Sequence, residues 1–347
     1  MYLIFIGSLK KGGVERFAAL LANHLVDRGM RVRMLMFKPD IEFNLDERVE
    51  ITYINHKKFR SRFLSIVYVY LALLVKVWSM RPKRLITLSR IAGMFAAASF
   101  YPRTIVSFDT YPLSFNRYKQ LQYLFFFNLP WIRRIVSCSE ELRTDVEPYI
   151  LFSKRMLTIP YPVPHLTVPD DRVHGRKFFV VVSRLHARKN VREIIRVYAE
   201  YGLKQHADLV ICGDGVEMDF LRDLVDRHNL APFVVLKGFV RDPYPFIKTS
   251  ICLVSASMRE GFPNVFVEAL GLGTPIISSR AKTGPSEIIS HGTNGLLFEV
   301  GDYAKLGEYM LELASNDELL RRLQSNTALG LEKYTYDAVM SKWMNVL

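Results

Sequence analysis

Cysteine is scarce in this 347-residue sequence: Cys138, Cys212 and Cys252 are odd in number and widely spaced. No histidine accompanies them at metal-ligand spacing, so neither a disulfide framework nor a metal site is expected, and a reducing cytoplasm fits. A long apolar run is also missing. Phe63 to Val75 is almost wholly apolar, but it is shorter than the roughly 20 residues a spanning helix needs, and Lys76 interrupts it. No basic stretch precedes the apolar opening Tyr2 to Ile6 and no small-residue cleavage site follows it, which argues against a secretory leader. Acidic residues are absent from the whole interval between Glu50 and Asp109.

What is present is a folded, apolar-rich chain whose length suits two domains of similar size. Its charge is one-sided. Residues 1–165 hold 25 Lys+Arg against 12 Asp+Glu, a net of +13, whereas residues 166–347 hold 22 of each. A basic domain of this kind attracts an anion, whether nucleic acid, a phospholipid surface or a phosphorylated substrate. Nucleic-acid binding would call for aromatic stacking platforms or a helix-turn-helix, and neither is evident. Lys57, Lys58, Arg60 and Arg62 precede the Phe63–Val75 segment and Arg81, Lys83 and Arg84 follow it. That pattern suits an amphipathic helix on an anionic bilayer or a buried helix of the first domain, and both hold if one face is exposed. The aromatic cluster Tyr123–Trp131, followed by Arg133 and Arg134, leaves the same two readings.

The periodicity is α/β. After the opening strand, Phe17, Leu20, Leu21 and Leu25 predict a helix from about Gly13 to Arg28, stopped by Gly29 and followed by a strand at Val32–Phe37. This is a βαβ unit, the building block of a helix-covered parallel sheet. In the second half, Phe178–Val182, Ala207–Cys212, Val234–Leu236, Ile251–Ser255 and Pro275–Ser278 are strand-like runs separated by helical stretches or glycine turns. Pro160, Pro162 and Pro164 and the polar segment Asp170–Arg176 predict a joint near residue 165. The expected division is 1–165, 166–330 and a final helical segment, 331–347, packing back towards the first domain.

Three loops carry candidate chemistry. In Glu260 to Leu270, Pro263 suits the first turn of a helix, Glu268 lies about one turn in, and Glu260 stays in the preceding loop. The helix-start amides, around Gly261, Phe262, Pro263, Asn264 and Val265, would face a phosphate or a sugar. A glycosidase pair of Glu260 and Glu268 is disfavoured: on one helix they would stand about 12 Å apart, beyond the ~5–9.5 Å those mechanisms use, unless the loop shortens the distance. The second loop, Ser183 to Asn190, follows an apolar strand, where ligands of open α/β sheets bind. There Arg184 and Lys189 suit a diphosphate that gains charge as it leaves, although such a basic loop taken alone is more often a solvated turn. The third, Cys212-Gly213-Asp214-Gly215, is another strand-end turn, weak by itself because such glycines are common at left-handed positions.

Together these residues resemble the family 4 retaining glycosyltransferases of GT-B fold, of the bacterial polysaccharide and lipid-linked glycan type, over nearly the full chain. That fold sets two Rossmann-like domains with their parallel sheets facing a central cleft. Gly12-Gly13-Val14-Glu15-Arg16 is similar to the family's N-terminal glycine loop, Ser183-Arg184-Leu185 with Lys189-Asn190 to its diphosphate motif, and Gly213-Asp214-Gly215 to its nucleoside-side turn. Glu260 through Glu268 is similar to its E-x7-E motif, and Thr283–Glu287 and Asn294–Leu297 to further family segments. The resemblance implies that Arg184 and Lys189 hold the donor diphosphate and Glu268 the ribose hydroxyls. It places Glu260 and the Thr283–Glu287 segment near the donor sugar and Gly13 near the phosphate from the other domain.

Two departures stand out. Ser183 replaces a common glycine, a small change that should leave the arginine placement intact. Asp109 takes the place of a frequent histidine, either orienting a sugar or capping a helix. The implied activity is transfer of a hexose or N-acetylhexosamine from a nucleotide-diphosphate sugar, UDP favoured, with retention and with neither metal nor cofactor. The implied acceptor is a glycan or a polyprenyl-diphosphate or other lipid-linked acceptor, met peripherally at the cytoplasmic face of the inner membrane. A nucleotide-sugar epimerase of the same fold and a non-enzymatic anion- or nucleic-acid-binding protein are the alternatives.

Overall fold

In a computed structural model the described residues are 1–10, 12–54, 62–108, 121, 124–163, 168 and 173–347, the side chains of Arg62 and Phe63 excepted. They divide into two compact units, Met1–Tyr161 with Asp337–Leu347, and Pro162–Tyr336. The boundary thus lies a few residues before the expected joint, inside the proline-rich stretch.

In the first unit the strands are β1 (Tyr2–Ile6), β2 (Val32–Met36), β3 (Glu50–Tyr53), β4 (Arg84–Thr87), β5 (Thr104–Phe108), β6 (Ile132–Ser137) and β7 (Met156–Thr158). They pair in parallel in the order β3-β2-β1-β4-β5-β6-β7. In the second unit β8 (Phe178–Val182), β9 (Asp208–Cys212), β10 (Val234–Gly238), β11 (Leu253–Ser255), β12 (Ile276–Ser279) and β13 (Gly295–Phe298) follow the order β10-β9-β8-β11-β12-β13, again parallel. Both sheets grow outward from their first strand in one direction and then resume beside it in the other. Each therefore has a switch point, between β1 and β4 and between β8 and β11, where adjacent loops leave in opposite directions and open a crevice.

Strands covered on both faces must be apolar along their whole length. Phe178-Phe179-Val180-Val181 is buried throughout, as are Tyr2 to Ile6. The covering helices bury one stripe each. Val191–Glu200 turns Ile194, Ile195, Val197 and Tyr198 inward, and Met218–Arg227 does the same with Leu221, Leu224 and Val225. The first helix, Gly13–Asp27, buries Phe17, Leu21 and Leu25 at the expected spacing.

The last helix, Tyr336–Val346, lies almost wholly in the first unit. Trp343 is 1% exposed and its ring centroid is 5.7 Å from that of Phe17, which in turn meets Tyr161 edge-on at 5.1 Å. The apolar segment singled out above forms helix Arg62–Met80, with Val69, Leu73 and Val77 buried and Leu71, Val75 and Trp78 exposed. No helix among the described residues is long and apolar enough to cross a membrane.

Candidate functional site

The crevice at the β8/β11 switch point is built by two loops. The first leaves β8 at Ser183 and ends in a 3₁₀ turn, Ala187–Lys189, before the helix that starts at Val191. Asn190 joins turn to helix with a left-handed backbone (φ 58°), and its side-chain amide donates to the Tyr303 hydroxyl. That kink points the chain from the turn into the helix and leaves Lys189 at the mouth of the crevice. The second loop leaves β11 at Ser255 and runs to Pro263, the residue before helix Asn264–Gly271. The Met258 amide donates to the Arg188 carbonyl at 2.8 Å, stitching the loops together.

Across this seam Lys189 Nζ donates to Glu260 Oε1 at 2.6 Å, with side-chain exposures of 18% and 9%. Glu260 is also held through its backbone. Its amide donates to the Lys282 carbonyl at 3.4 Å, and its own carbonyl accepts from the Thr283 hydroxyl. Thr283 (φ 69°) and Gly284 (φ 99°) take left-handed backbone to do this, and a Cβ on Gly284 would lie 2.5 Å from Pro263 Cδ. Ser183, Ser255 and Ser257 line the crevice beside Lys189 and Glu260. Ser183 Oγ, in the lining of this crevice, and Asn264 Oδ1, next in sequence to the lining residue Val265, are buried without a hydrogen-bond partner among the described residues. Unsatisfied buried oxygens next to a polar pocket are groups a ligand can pair.

The glycines of the third loop allow a close approach to the loop that leaves β8. A Cβ on Gly213 would stand 1.9 Å from the Ser183 carbonyl oxygen, and one on Gly215 would stand 2.2 Å from that of Leu185. The Leu185 amide donates to the Asp214 carbonyl at 2.9 Å and the Glu217 amide to the Leu185 carbonyl at 3.2 Å. The β9 loop therefore lies directly on the β8 loop and supports it. Glu217 fixes the far side by an ion pair with Arg192.

The other candidate residues fall as follows. Arg184 is exposed and makes no ion pair with any described residue, whereas Lys189 is already engaged by Glu260. Gly261, Phe262, Pro263 and Val265 sit between Glu260 and the helix start; Pro263 is the cap position, one residue outside the first turn it was expected in, and Phe262 packs on Tyr334 at 5.7 Å. Glu268 is buried on that helix. With the helix starting at Asn264, Glu260 and Glu268 do not share it, so the straight-helix separation used against a glycosidase pair does not apply.

Asn294 is buried, accepts from the Ser290 amide at 2.9 Å and braces the turn into β13, a structural task. In the first unit, Gly12 precedes helix Gly13–Asp27 with φ 135°. Asp109 lies outside the described residues. Thr283, which holds the Glu260 loop, falls in the Thr283–Glu287 segment noted above, whereas Ser257, which lines the crevice, carries no motif that singles it out in the sequence.

Two open parallel sheets, one with a cation–carboxylate pair at its switch point, define a two-unit α/β protein of GT-B architecture. Residues 169–329 match the family model for glycosyl transferases group 1. An uncharacterized glycosyltransferase of Methanocaldococcus jannaschii is 37% identical over 132 residues, 38% of this chain and 32% of that protein, so the chain spans about a third of that relative's length. The Campylobacter jejuni N-acetylgalactosamine-N,N'-diacetylbacillosaminyl-diphospho-undecaprenol 4-alpha-N-acetylgalactosaminyltransferase is 27% identical over 94% of this chain and 93% of its own. The Anabaena protein HepE, solved in complex with UDP-glucose, superposes with a TM-score of 0.82 over 100% of this chain and 99% of that one, at 16% identity, a likeness of fold. Residues 169–329 thus match the group 1 glycosyltransferases, and the chain as a whole shares the GT-B fold of that solved structure.

Proposed function

We propose that the chain transfers a hexose or N-acetylhexosamine from a nucleotide-diphosphate sugar, a UDP-sugar in preference, to a hydroxyl of a glycan or lipid-linked acceptor during cell-surface polysaccharide, lipopolysaccharide or glycoprotein-glycan assembly. The observation that carries this reading is the Lys189–Glu260 pair at the β8/β11 switch point. An ammonium held by one carboxylate beside the unpaired, buried Ser183 hydroxyl, which can donate to a phosphate oxygen, is prepared to exchange that carboxylate for a phosphate. The exposed Arg184 on the same loop supplies a second cation without first breaking an ion pair.

Lys189, Arg184 and the start of helix Asn264–Gly271 then stabilise the departing diphosphate, where negative charge develops. Glu260, once released, faces the donor sugar, and Glu268 takes the ribose hydroxyls. Retention, with a donor phosphate oxygen accepting the proton of the attacking hydroxyl, needs neither a protein nucleophile nor a metal. The names of the lipopolysaccharide- and undecaprenol-directed relatives support an acceptor of the same class.

A thermal-shift panel of UDP, GDP, ADP and their sugars tests the donor half, since a ligand of the folded state raises stability with its affinity. A selective rise with UDP and its sugars is expected. No rise with any nucleotide would remove the reading, and release of free sugar without an acceptor product would favour epimerisation.

A further inference from the structure

Three loops of the first unit bring aromatic rings and arginines to one surface at the end of helix Arg62–Met80, where β4, β5 and β6 begin. Trp78 donates its indole N–H to the Ser99 carbonyl at 3.0 Å and packs edge-on against Tyr101 at 5.4 Å. Trp131 donates to the Ala97 carbonyl at 2.6 Å and its ring lies 4.8 Å from Phe100. Trp78 and Phe100 nevertheless remain 47% and 58% exposed. Arg81, Phe100 and Arg103 all adopt left-handed backbone, with φ of 44°, 55° and 66°. That conformation is uncommon for large side chains and is strained enough to ask what it serves. Here it accompanies exposure of all three.

The cations of this surface stand without carboxylates. Arg81, Arg103 and the exposed Arg133 pair with no acidic residue among the described residues. Elsewhere in the same unit Arg31 and Arg33 hold Glu50, and Arg48 holds Asp27 and Asp46. The neighbouring Arg84 is lowered from its ordinary pKa first by burial and then by repulsion from Arg133 and Arg103, so these charges gather. From the same end an apolar stripe, Leu71, Val75 and Trp78, runs along the outside of the helix at i, i+4, i+7 spacing, with Val75 69% exposed.

We propose that this arginine–aromatic belt and helix stripe form a docking surface for an anionic phospholipid bilayer. The helix lies in the interfacial plane, the stripe enters the acyl boundary, Trp78, Phe100 and Trp131 sit at headgroup depth, and Arg81, Arg103 and Arg133 meet lipid phosphates. The charge selects this partner. A second copy would bring the same unpaired arginines face to face across a twofold interface, and a nucleic acid would leave the Leu71–Val75 stripe against polar phosphates. The inference rests on the lipid-linked acceptor reading for its purpose only, because bilayer binding is measured apart from sugar transfer.

The test is flotation of the full chain with vesicles of phosphatidylcholine alone and with vesicles containing a quarter phosphatidylglycerol, at low and high salt. Binding to the anionic vesicles only, weakened by salt, is expected. Each basic residue near an anionic surface is worth about fivefold in partitioning, so the joint substitution Arg81→Glu, Arg103→Glu, Arg133→Glu should lower binding more than a hundredfold. Leu71→Ser with Val75→Ser should lower it without altering its salt dependence. Stabilisation by UDP, retained in both variants, shows that they fold; its absence from every form, with vesicle binding intact, would defeat the donor reading and leave the docking surface standing. Equal binding to neutral vesicles, no binding to either kind, or a dimer in light scattering that Val75→Glu dissolves would overturn the proposal.

Discussion

Lys189 and Glu260 are 71 positions apart and meet at 2.6 Å, each delivered by a loop from one of the two strands that flank the switch point of the second sheet. Neither loop holds its residue by local hydrogen bonds alone. The Arg188 carbonyl, the Lys282 carbonyl and the Thr283 hydroxyl fix the seam between them. The ammonium is thereby held on one side of a polar crevice with its carboxylate as the only ionic partner among the described residues.

Replacing Lys189 with alanine should reduce sugar transfer by about 10²–10³, the range for losing one preorganised charge donor. The protein should keep its circular dichroism spectrum, because the pair lies at the strand ends and outside the packed core. Initial rates at saturating donor check this; a folded variant with normal rates would contradict the role.

Glu260→Gln should have the opposite effect on binding a nucleoside diphosphate. With the carboxylate neutralised, Lys189 exchanges partners without opposition, so calorimetry should show tighter binding of UDP, several-fold, together with slower transfer. The gain should vanish in the Lys189→Ala background. An unchanged affinity would mean that the pair does not compete with phosphate.

Gly213→Ala forces a methyl group against the Ser183 carbonyl, which is backbone and cannot swing aside. Overpacking of this kind costs about 1–3 kcal/mol, and the strain falls on the loop that carries Arg184. Chemical denaturation should show the loss of stability, and the nucleotide-induced thermal shift should shrink with it. Gly202→Ala, which meets nothing within 4 Å but has φ 60°, is the control for a purely conformational cost.

Trp343→Ala should destabilise the first unit by about 3–5 kcal/mol, since it empties a buried site against Phe17. Trp343→Phe should cost far less, because it retains most of the ring and removes an indole N–H that is buried without a partner. Urea unfolding of both variants distinguishes the cost of lost volume from the relief of an unpartnered indole N–H.

Burial pushes the Cys212 thiol up to about 12 and raises Cys252 as well. A thiol that stays protonated in the folded state while its unfolded form ionises near its ordinary 9 contributes stability fully present below pH 9 and lost as the pH climbs towards 12. The urea midpoint should therefore fall between pH 8.5 and 10.5 by an amount that Cys212→Ala reduces, with those pH limits set around the ordinary thiol value of about 8.5. In the native protein at neutral pH all three buried thiols should resist alkylation and become reactive together on unfolding.

Much of this was legible beforehand because it is local. Phe178–Val182 matches its observed bounds, and helix Gly13–Asp27 ends one residue before the expected stop, since apolar period and a following glycine act over a few residues. The Phe63–Val75 segment shows why period alone leaves two readings: its helix buries Val69 and Val77 and exposes Leu71 and Val75, one face turned inward and the other outward. The close packing of Gly213 is not legible for the same reason, because a glycine needed for close approach of another loop leaves no mark in its own neighbours. Ser257 leaves no signal in the sequence because its partner Ser279 lies far along the chain, and the same distance hides the hold of Thr283 on the Glu260 carbonyl.

The amino-acid order by itself determined the α/β alternation, the one-sided charge and the strand-end loops with their reactive residue types, all consequences of interactions within a turn or two. Only the tertiary structure decided that both sheets resume on the other side of their first strand, that Lys189 meets Glu260 across two loops, and that Trp78, Phe100 and Trp131 share a surface with arginines that pair with no acidic residue among the described ones. Those relationships depend on strand order and on contacts tens of residues apart, which no local propensity specifies.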